Sequence, residues 1–179
     1  MAIAGACNRL PDLVGEPISV SVGPQLTASG GKLLYGHPTK GTAVYAAAFI
    51  RERRIVLEST LRPRKLRLIL THEVFHFVWA RLGNALRCAF AALLHKELQE
   101  GARGELGESA GIKKQKLASG KCQKAMGRIW RDYVCESFCD TAAWLYSGCV
   151  QAPEYQLATR WKALRRGWFH SVFEQSRAC

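Results

Sequence analysis

The chain lacks features that would place it in several common classes. No apolar run approaches the roughly 20 residues of a membrane span, and none of the 7 cysteines forms a Cys-x-x-Cys pair. The first residues lack the basic and then apolar order of a signal peptide. We therefore expect no transmembrane segment, zinc ribbon or disulfide framework, and we expect a cytoplasmic protein with reduced thiols.

Acidic residues are scarce relative to basic ones. The chain has 14 Asp and Glu against 26 Lys and Arg, which gives a net charge of +12. Such an excess favours an acidic partner, which can be nucleic acid, an anionic membrane or an acidic protein surface. A length of 179 residues with 48% hydrophobic and 22% charged residues is typical of one globular domain with its own core.

Hydrophobic periodicity predicts an α+β fold. Alternation in residues 18–22 and β-rich stretches at 42–49 and 54–59 predict a small, mainly antiparallel sheet across about 18–60. Pro63 is well placed to open a helix. Helices are predicted at about 63–83, 85–100, 123–147 and 154–173, with a Gly- and Lys-rich loop at 101–121. The whole chain, 1–179, is predicted to form one domain.

One stretch within the first predicted helix carries the clearest chemistry. His72 and His76 are four residues apart, so they lie on one face of the helix and can bind the same metal ion. Glu73 follows the first histidine, which completes the His-Glu-x-x-His pattern of zinc hydrolases. The flanking residues carry no charge, and buried polar groups are costly unless something satisfies them. The stretch therefore predicts a zinc site with Glu73 as the general base.

A catalytic zinc ion requires a third protein ligand in addition to a water. Glu136 and Asp140 are the only charges in the apolar helical stretch 133–145, and their spacing of four places them on one face. Glu136 is predicted to be the third ligand. Asp140 is predicted to accept the free ring N–H of a zinc-binding histidine, His72 being the first candidate.

Other donors remain open as alternatives. Asp140 can instead bind the metal directly, and His95, Glu97 and Glu100 offer donors at a helix end that we expect to be exposed. Cys135 and Cys139 are also four residues apart and can bind metal or form a disulfide. Buried, reduced thiols are the simpler expectation for these two cysteines.

The His72-Glu73-x-x-His76 motif, followed by Glu136-x-x-x-Asp140, resembles that of gluzincin metallopeptidases. The short chain and the strand before the motif helix are similar to minigluzincins and ImmA/IrrE-type peptidases, over roughly residues 42–148. The resemblance implies a zincin-like domain with one Zn²⁺ ion and a peptide or protein substrate. It also implies that the strand at 54–59 is the edge strand to which an extended peptide adds. Glu136 follows His76 by about sixty residues, so residues 85–122 are read as an insertion.

The resemblance further implies a tyrosine or histidine that stabilises the oxyanion. Tyr146, Tyr133 and His170 are candidates that the sequence does not separate. Residues 160–169 mix aromatic and cationic side chains, which suits either an anionic surface or a helix that packs its aromatics inward and leaves its arginines outside. We expect the second arrangement.

Two further functions compete with a zinc peptidase. One is a DNA-associated metalloprotease resembling the SprT-like group, which the net charge of +12 supports. The other is a non-enzymatic, zinc-stabilised binding protein. Glu73 favours an enzyme, because a purely structural zinc site has no use for that carboxylate.

Overall fold

The computed structural model describes residues 10–36, 41–119, 126–149 and 151–173. Within these ranges, strands in the N-terminal half are followed by helices, which confirms the α+β class. The strands are β1 (Ser19–Gly23), β2 (Thr27–Ser29), β3 (Lys32–Leu34), β4 (Thr42–Ala43), β5 (Ala46–Phe49) and β6 (Arg54–Glu58). The helices are α1 (Pro63–Arg81), α2 (Asn84–Gln99), α3 (Glu108–Ala118), α4 (Met126–Tyr146) and α5 (Thr159–Phe173).

The strands form two small sheets instead of one. The first has the order β1-β6-β5 and the second has the order β3-β2-β4. The pairing of β1 with β6 is parallel, and the other pairings are antiparallel. The prediction of mainly antiparallel pairing is therefore confirmed. The split into two sheets and the parallel pair were not predicted, because local alternation does not indicate which distant strand a segment pairs with.

Strand β6 is central, so the prediction that residues 54–59 form an edge strand is wrong. Its middle residues, Ile55, Val56 and Leu57, are at most 1% exposed. Such a continuous apolar run is typical of a strand covered on both faces. With β1 on one side and β5 on the other, β6 has no edge for a peptide. Among the described strands, β5 stands at the end of this sheet, and α1 packs on it.

Helix α1 begins and ends within two residues of its predicted limits. Pro63 occupies its first turn, and Arg62 before it has an extended backbone. Its most extensive packing is against α4. The two helices run antiparallel, since Arg64 near the start of α1 contacts Cys149 just past α4, whereas His76 contacts Cys135 further back. This pairing brings the motif of α1 onto the acidic face of α4.

The prediction of a loop at 101–121 is wrong for residues 108–118, which form α3. Its N-cap, Gly107, has no side chain to satisfy the first amide groups. Asp140 of α4 does so instead, because its Oδ2 accepts the Ala110 N–H at 3.0 Å. This capping acid comes from another helix, which explains why the local sequence gave no helix signal. Residues 120–125, including the predicted start of the next helix, lie outside the described residues.

Helix α5 begins at Thr159, five residues later than predicted. The segment before it makes hydrogen bonds outside the helix, because the N–H groups of Gln156 and Leu157 donate to the Glu105 carbonyl at 2.8 and 3.1 Å. These bonds hold the segment against the loop before α3.

The core joins helices α1, α4 and α5 through aromatic rings. Phe75, Phe138 and Phe169 pack with ring centroids 4.9 to 6.2 Å apart. None of the described helices has the length and apolarity needed to span a bilayer.

Candidate metal centre

The two histidines of the motif face each other on the buried side of α1. His72 is 7% exposed, and its Nε2 lies 3.2 Å from Nε2 of His76. Two imidazole nitrogens bound to one tetrahedral zinc, each at about 2.0–2.1 Å, would be separated by about 3.3 Å. The observed separation therefore fits a shared metal ion between the two rings.

Glu136 reaches the same point from α4. Its Oε2 is 3.3 Å from His72 Nε2, the ring nitrogen that faces His76. Burial acts to raise the pKa of Glu136, but the hydrogen bond from His72 and the charge of His76 outweigh it and hold this pKa below its ordinary value. The position suits a third ligand, and that role stays a prediction.

Asp140 binds the opposite nitrogen of His72. Its Oδ1 lies 2.7 Å from His72 Nδ1, which is the contact predicted for it. A carboxylate accepts a hydrogen bond, so in the neutral ring Nδ1 carries the proton and Nε2 keeps a lone pair for a metal. Burial acts to lower the pKa of His72, but Asp140 outweighs burial and raises it well above the ordinary value. Asp140 thus fixes the tautomer of His72 while its other oxygen caps α3.

Glu73 is half-buried beside the two histidines. Burial raises the pKa of its carboxyl group above the ordinary value, although the charges of His72 and His76 act to lower it. A general base works best when its pKa is near the working pH. The environment of Glu73 therefore shifts the pKa of its carboxyl group in the direction that suits proton transfer.

The cysteines of α4 also lie at this site. Donor atoms of His72, His76 and Cys139 are all within 4.8 Å of one another, so this group can hold a metal ion. Cys135 Sγ lies 3.6 Å from His76 Nδ1. Hydrogen bonds from Cys139 and then His76, against the effect of burial, lower the pKa of Cys135 to about 6. The sequence signal was the spacing of the two cysteines, which are four residues apart as Glu136 and Asp140 are. Each cysteine directly precedes one of these acids, so the thiols lie beside the acidic face of α4.

Imidazole nitrogen, thiolate sulfur and carboxylate oxygen are the usual ligands of zinc. The donors present at this site, His72, His76, Cys139 and Glu136, are of these three kinds. They therefore fit a zinc ion, whereas the hard, all-oxygen sets that magnesium and calcium prefer are not what this site offers.

The alternative donors at the end of α2 serve other contacts. Glu97 was expected to be exposed and is instead fully buried, with its carboxylate bound by Arg165 at 2.6 Å. The prediction of an ordinary exposed terminus is therefore wrong at this residue. The ring of His95 meets that of Trp130 edge to face, at 6.1 Å between centroids. Glu100 is exposed and lies 3.8 Å from Arg160.

Arg165 organises a second buried cluster, separate from the histidines. Its Nη2 binds Glu97 at 2.6 Å and its Nη1 binds Glu105 at 2.9 Å. Lys114 and Tyr133 also bind Glu105, at 3.2 and 2.6 Å. We call these five residues the Arg165 cluster. The expectation that the arginines of the last helix lie outside is wrong for Arg165, which is 0% exposed.

The oxyanion candidates occupy three different environments. Tyr133 donates its hydroxyl hydrogen to Glu105 and so belongs to the Arg165 cluster. Tyr146 is buried, with its ring stacked on Phe75 at 5.6 Å between centroids. His170 is exposed in the last turn of α5. The role of oxyanion stabiliser stays a prediction.

Two cavities of about 600 Å³ each border the start of α3. One is lined by α3, the loop before it and Lys65, and the other by residues of β4, β6 and their neighbours. They share Glu108. Gly107 also lies here, and a side chain at this position would run into the Asp140 carboxylate. The first cavity, which Gly107 lines, therefore lies close to the carboxylate that orients His72.

The chain has no significant match among protein-family models, curated proteins or solved structures. Its function therefore has to be argued from the chemistry of the site itself.

Proposed function

We propose that the protein is a zinc-dependent peptidase, similar to gluzincins, that hydrolyses peptide bonds. One observation carries the proposal. His72 Nε2 lies 3.2 Å from His76 Nε2 and 3.3 Å from Glu136 Oε2, while Asp140 holds the opposite nitrogen of the His72 ring. Each of these two separations from His72 Nε2 suits a pair of ligands on one tetrahedral ion.

In this proposal His72, His76 and Glu136 hold the zinc ion, and Asp140 orients His72. When bound, zinc lowers the pKa of a water molecule and polarises a carbonyl group. Asp140 contributes by keeping the His72 proton on Nδ1, so that the unprotonated Nε2 faces the other two ligands, His76 and Glu136.

Glu73 is the proposed general base. It takes a proton from the attacking water and passes it to the leaving amine as the peptide bond breaks. Its pKa is raised above the ordinary value, which is the direction that makes a carboxylate a better proton acceptor.

An extended peptide is the proposed substrate, and β5 is the strand it would join. Among the described strands β5 ends its sheet, and it packs on α1, the helix that carries the motif. The N–H and C=O groups on its outer side can pair with a peptide backbone. The cavities beside Glu108 offer space for substrate side chains. The free thiols of Cys135 and Cys139 agree with a reducing, cytoplasmic setting.

A non-enzymatic, zinc-stabilised binding protein is the second candidate. Cys139 supports it, because its donor atom lies within 4.8 Å of those of both histidines. A fourth protein ligand would leave no place for a water, as in structural zinc sites. The acidic or nucleic-acid partner suggested by the net charge of +12 remains a proposal alongside either function.

The decisive experiment combines metal analysis with cleavage of a broad peptide library by Glu73→Gln. We expect the variant to keep one zinc ion per chain and to lose hydrolysis, since the amide cannot accept the proton. Glu100→Gln, at an exposed position just past the end of α2, is the control that keeps both properties. Persistent cleavage by Glu73→Gln would contradict the proposal. A zinc-loaded wild type that cleaves nothing would favour the binding protein.

A second experiment tests the ligand assignment. Glu136→Ala removes the carboxylate that lies 3.3 Å from His72 Nε2 and should lower zinc content strongly. Asp132→Asn, one turn earlier on the same face of α4, should leave zinc content unchanged. Equal zinc content in wild type and Glu136→Ala would remove Glu136 from the ligand set.

A further inference from the structure

Helix α3 depends on the rest of the chain for its first turn. It has 11 residues, all of them described, and only Ala110 among them is buried. Isolated helices shorter than about 12–15 residues are marginal in water. Ion pairs of Lys113 and Lys114 hold the later part of α3. Its first turn is held by Asp140 of α4, whose Oδ2 accepts the Ala110 N–H at 3.0 Å.

Gly107, just before α3, gives the Asp140 carboxylate its space. The backbone of Gly107 is extended, with φ −167° and ψ 166°, so any residue could adopt it. A Cβ atom at this position, however, would overlap the carboxylate group of Asp140. At Gly111, one turn later in α3, a Cβ atom would meet nothing within 4 Å. The glycine at position 107 is therefore required by the close approach of Asp140 and not by its own conformation.

Asp140 divides its two oxygens between α3 and the metal centre. While Oδ2 holds Ala110, Oδ1 lies 2.7 Å from Nδ1 of His72. A carboxylate group is planar and rigid, so the bond that directs one oxygen also directs the other. Asp140 is 5% exposed, which leaves water little access to replace either bond. The orientation of His72 is thus linked to the position of α3.

We propose that Gly107 is a positioning residue of the metal centre, and that zinc binding and the docking of α3 stabilise each other through Asp140. This inference rests on the proposed function, because it concerns the same ion. The coupling is reciprocal: docked α3 tightens zinc binding by the same factor by which zinc favours docked α3. Residues of α3 also line the first cavity. The zinc-loaded protein therefore presents the metal and this wall of the cavity together.

Zinc titration of the full chain against a competing chelator tests the role of Gly107. In Gly107→Ala the new Cβ displaces the Asp140 carboxylate, and loss of such a partner lowers metal affinity by about 10–100-fold. Gly111→Ala is the matched control. It makes the same change one turn later, where there is open space, and should keep the affinity of the wild type.

A second variant at the control position tests the role of α3 without adding any group at the metal centre. Gly111→Pro removes the N–H that donates to the Gly107 carbonyl at 3.2 Å and breaks the helix. We expect it to lower zinc affinity, whereas Gly111→Ala does not. This pair of variants keeps the test decisive if Gly107→Ala fails to fold.

A double-mutant cycle separates positioning from a general loss of structure. If Gly107 acts through Asp140, Gly107→Ala should lower zinc affinity by less than about twofold in a chain that already carries Asp140→Asn. An effect that does not pass through Asp140 would appear in that chain at its full size.

Amide hydrogen exchange measures the reciprocal effect. At short exchange times, which report local opening, zinc should slow exchange in residues 108–118 of the wild type and of Gly111→Ala. It should have little effect on the same residues in Gly107→Ala, even when zinc is saturating.

The outcomes separate this inference from the proposed function. Equal zinc affinity in Gly107→Ala, Gly111→Pro and the wild type, or full additivity in the cycle, would overturn the inference and leave the peptidase intact. No zinc bound to any form would overturn both. The expected coupling in a zinc-loaded wild type that cleaves no peptide would support the inference and overturn the peptidase.

Discussion

The metal centre and the Arg165 cluster are two buried groups of charges that differ in how those charges are balanced. In the Arg165 cluster, the carboxylates of Glu97 and Glu105 face the cations of Arg165 and Lys114. At the metal centre, three carboxylates surround two histidines. Histidine rings are neutral when they bind a metal, so they do not balance these acids. The three carboxylates are Glu73, Glu136 and Asp140.

The difference separates a cluster that contains its own cations from a candidate metal site. Burial acts to raise the pKa of Glu105, but Arg165 and Lys114 outweigh it and lower this pKa. Burial raises the pKa of Glu73 and also that of Glu97 beside Arg165, while the pKa of Glu136 is lowered, so the two groups differ in the charges present and not in the direction of these shifts. Buried charges are tolerated when they are paired. The Arg165 cluster is balanced by its own side chains, whereas a bound cation could balance the three acids of the candidate metal centre when its histidines are neutral.

Breaking the balanced cluster should have the largest effect on stability. Arg165→Met leaves Glu97 and Glu105 without their main partner, and loss of one member of a buried ion pair costs about 3–5 kcal/mol. Denaturant unfolding of the zinc-loaded protein measures this loss. Arg166→Met changes the next residue, whose guanidinium lies over the Trp144 ring on the surface, and should cost below about 1 kcal/mol. Equal losses in the two variants would contradict the comparison.

Removing the metal should have the next largest effect. A ligand that binds only the folded state at a thousandfold excess over its Kd stabilises by about 4 kcal/mol. Thermal unfolding with and without a chelator measures the shift. His72→Ala should show no response to the chelator, while Arg166→Met should respond as the wild type does. A wild type indifferent to zinc would mean that the metal centre is balanced in some other way.

Asp140→Asn should have a smaller and more specific effect. The amide cannot fix the His72 proton as a carboxylate does, and loss of such a partner lowers metal affinity by about 10–100-fold. Zinc titration against a competing chelator measures the change. Asp132→Asn is the matched control, because Asp132 is 42% exposed and pairs with Lys113 at 3.7 Å instead of with a histidine. Unchanged affinity in Asp140→Asn would remove this residue from the site.

An exposed pair should contribute least. Arg160 lies 3.8 Å from Glu100, and both side chains are largely exposed. Exposed pairs of this kind contribute about 0–1 kcal/mol. Arg160→Ala should therefore change the free energy of unfolding by less than about 1 kcal/mol and leave zinc affinity unchanged. A larger loss would show that burial is not what separates the charged clusters in this protein.

The sequence indicated those parts of the molecule whose signals are local. Pro63 and the apolar run after it predicted α1, and the spacing of four placed Glu136 and Asp140 on one face of α4. The contact between Asp140 and His72 could be anticipated because an isolated acid on a buried face needs a partner.

Features that depend on distant partners could not be predicted. Glu97 is buried because Arg165 lies beside it, and α3 forms where Asp140 supplies its cap. The central position of β6 depends on its pairing with β1, which lies more than thirty residues earlier in the sequence. Cys139 was set aside because a small buried thiol is common, and its place beside the histidines appears only once α1 and α4 pack together.

The central claim is that one zinc ion lies between the two histidines of α1. Anomalous X-ray scattering at the zinc absorption edge, from crystals of the full chain, tests it most directly. We predict one strong peak per chain, about 2.0–2.1 Å from Nε2 of both His72 and His76. A zinc-saturated protein with no peak between these two rings, or with its peak elsewhere, would contradict the account.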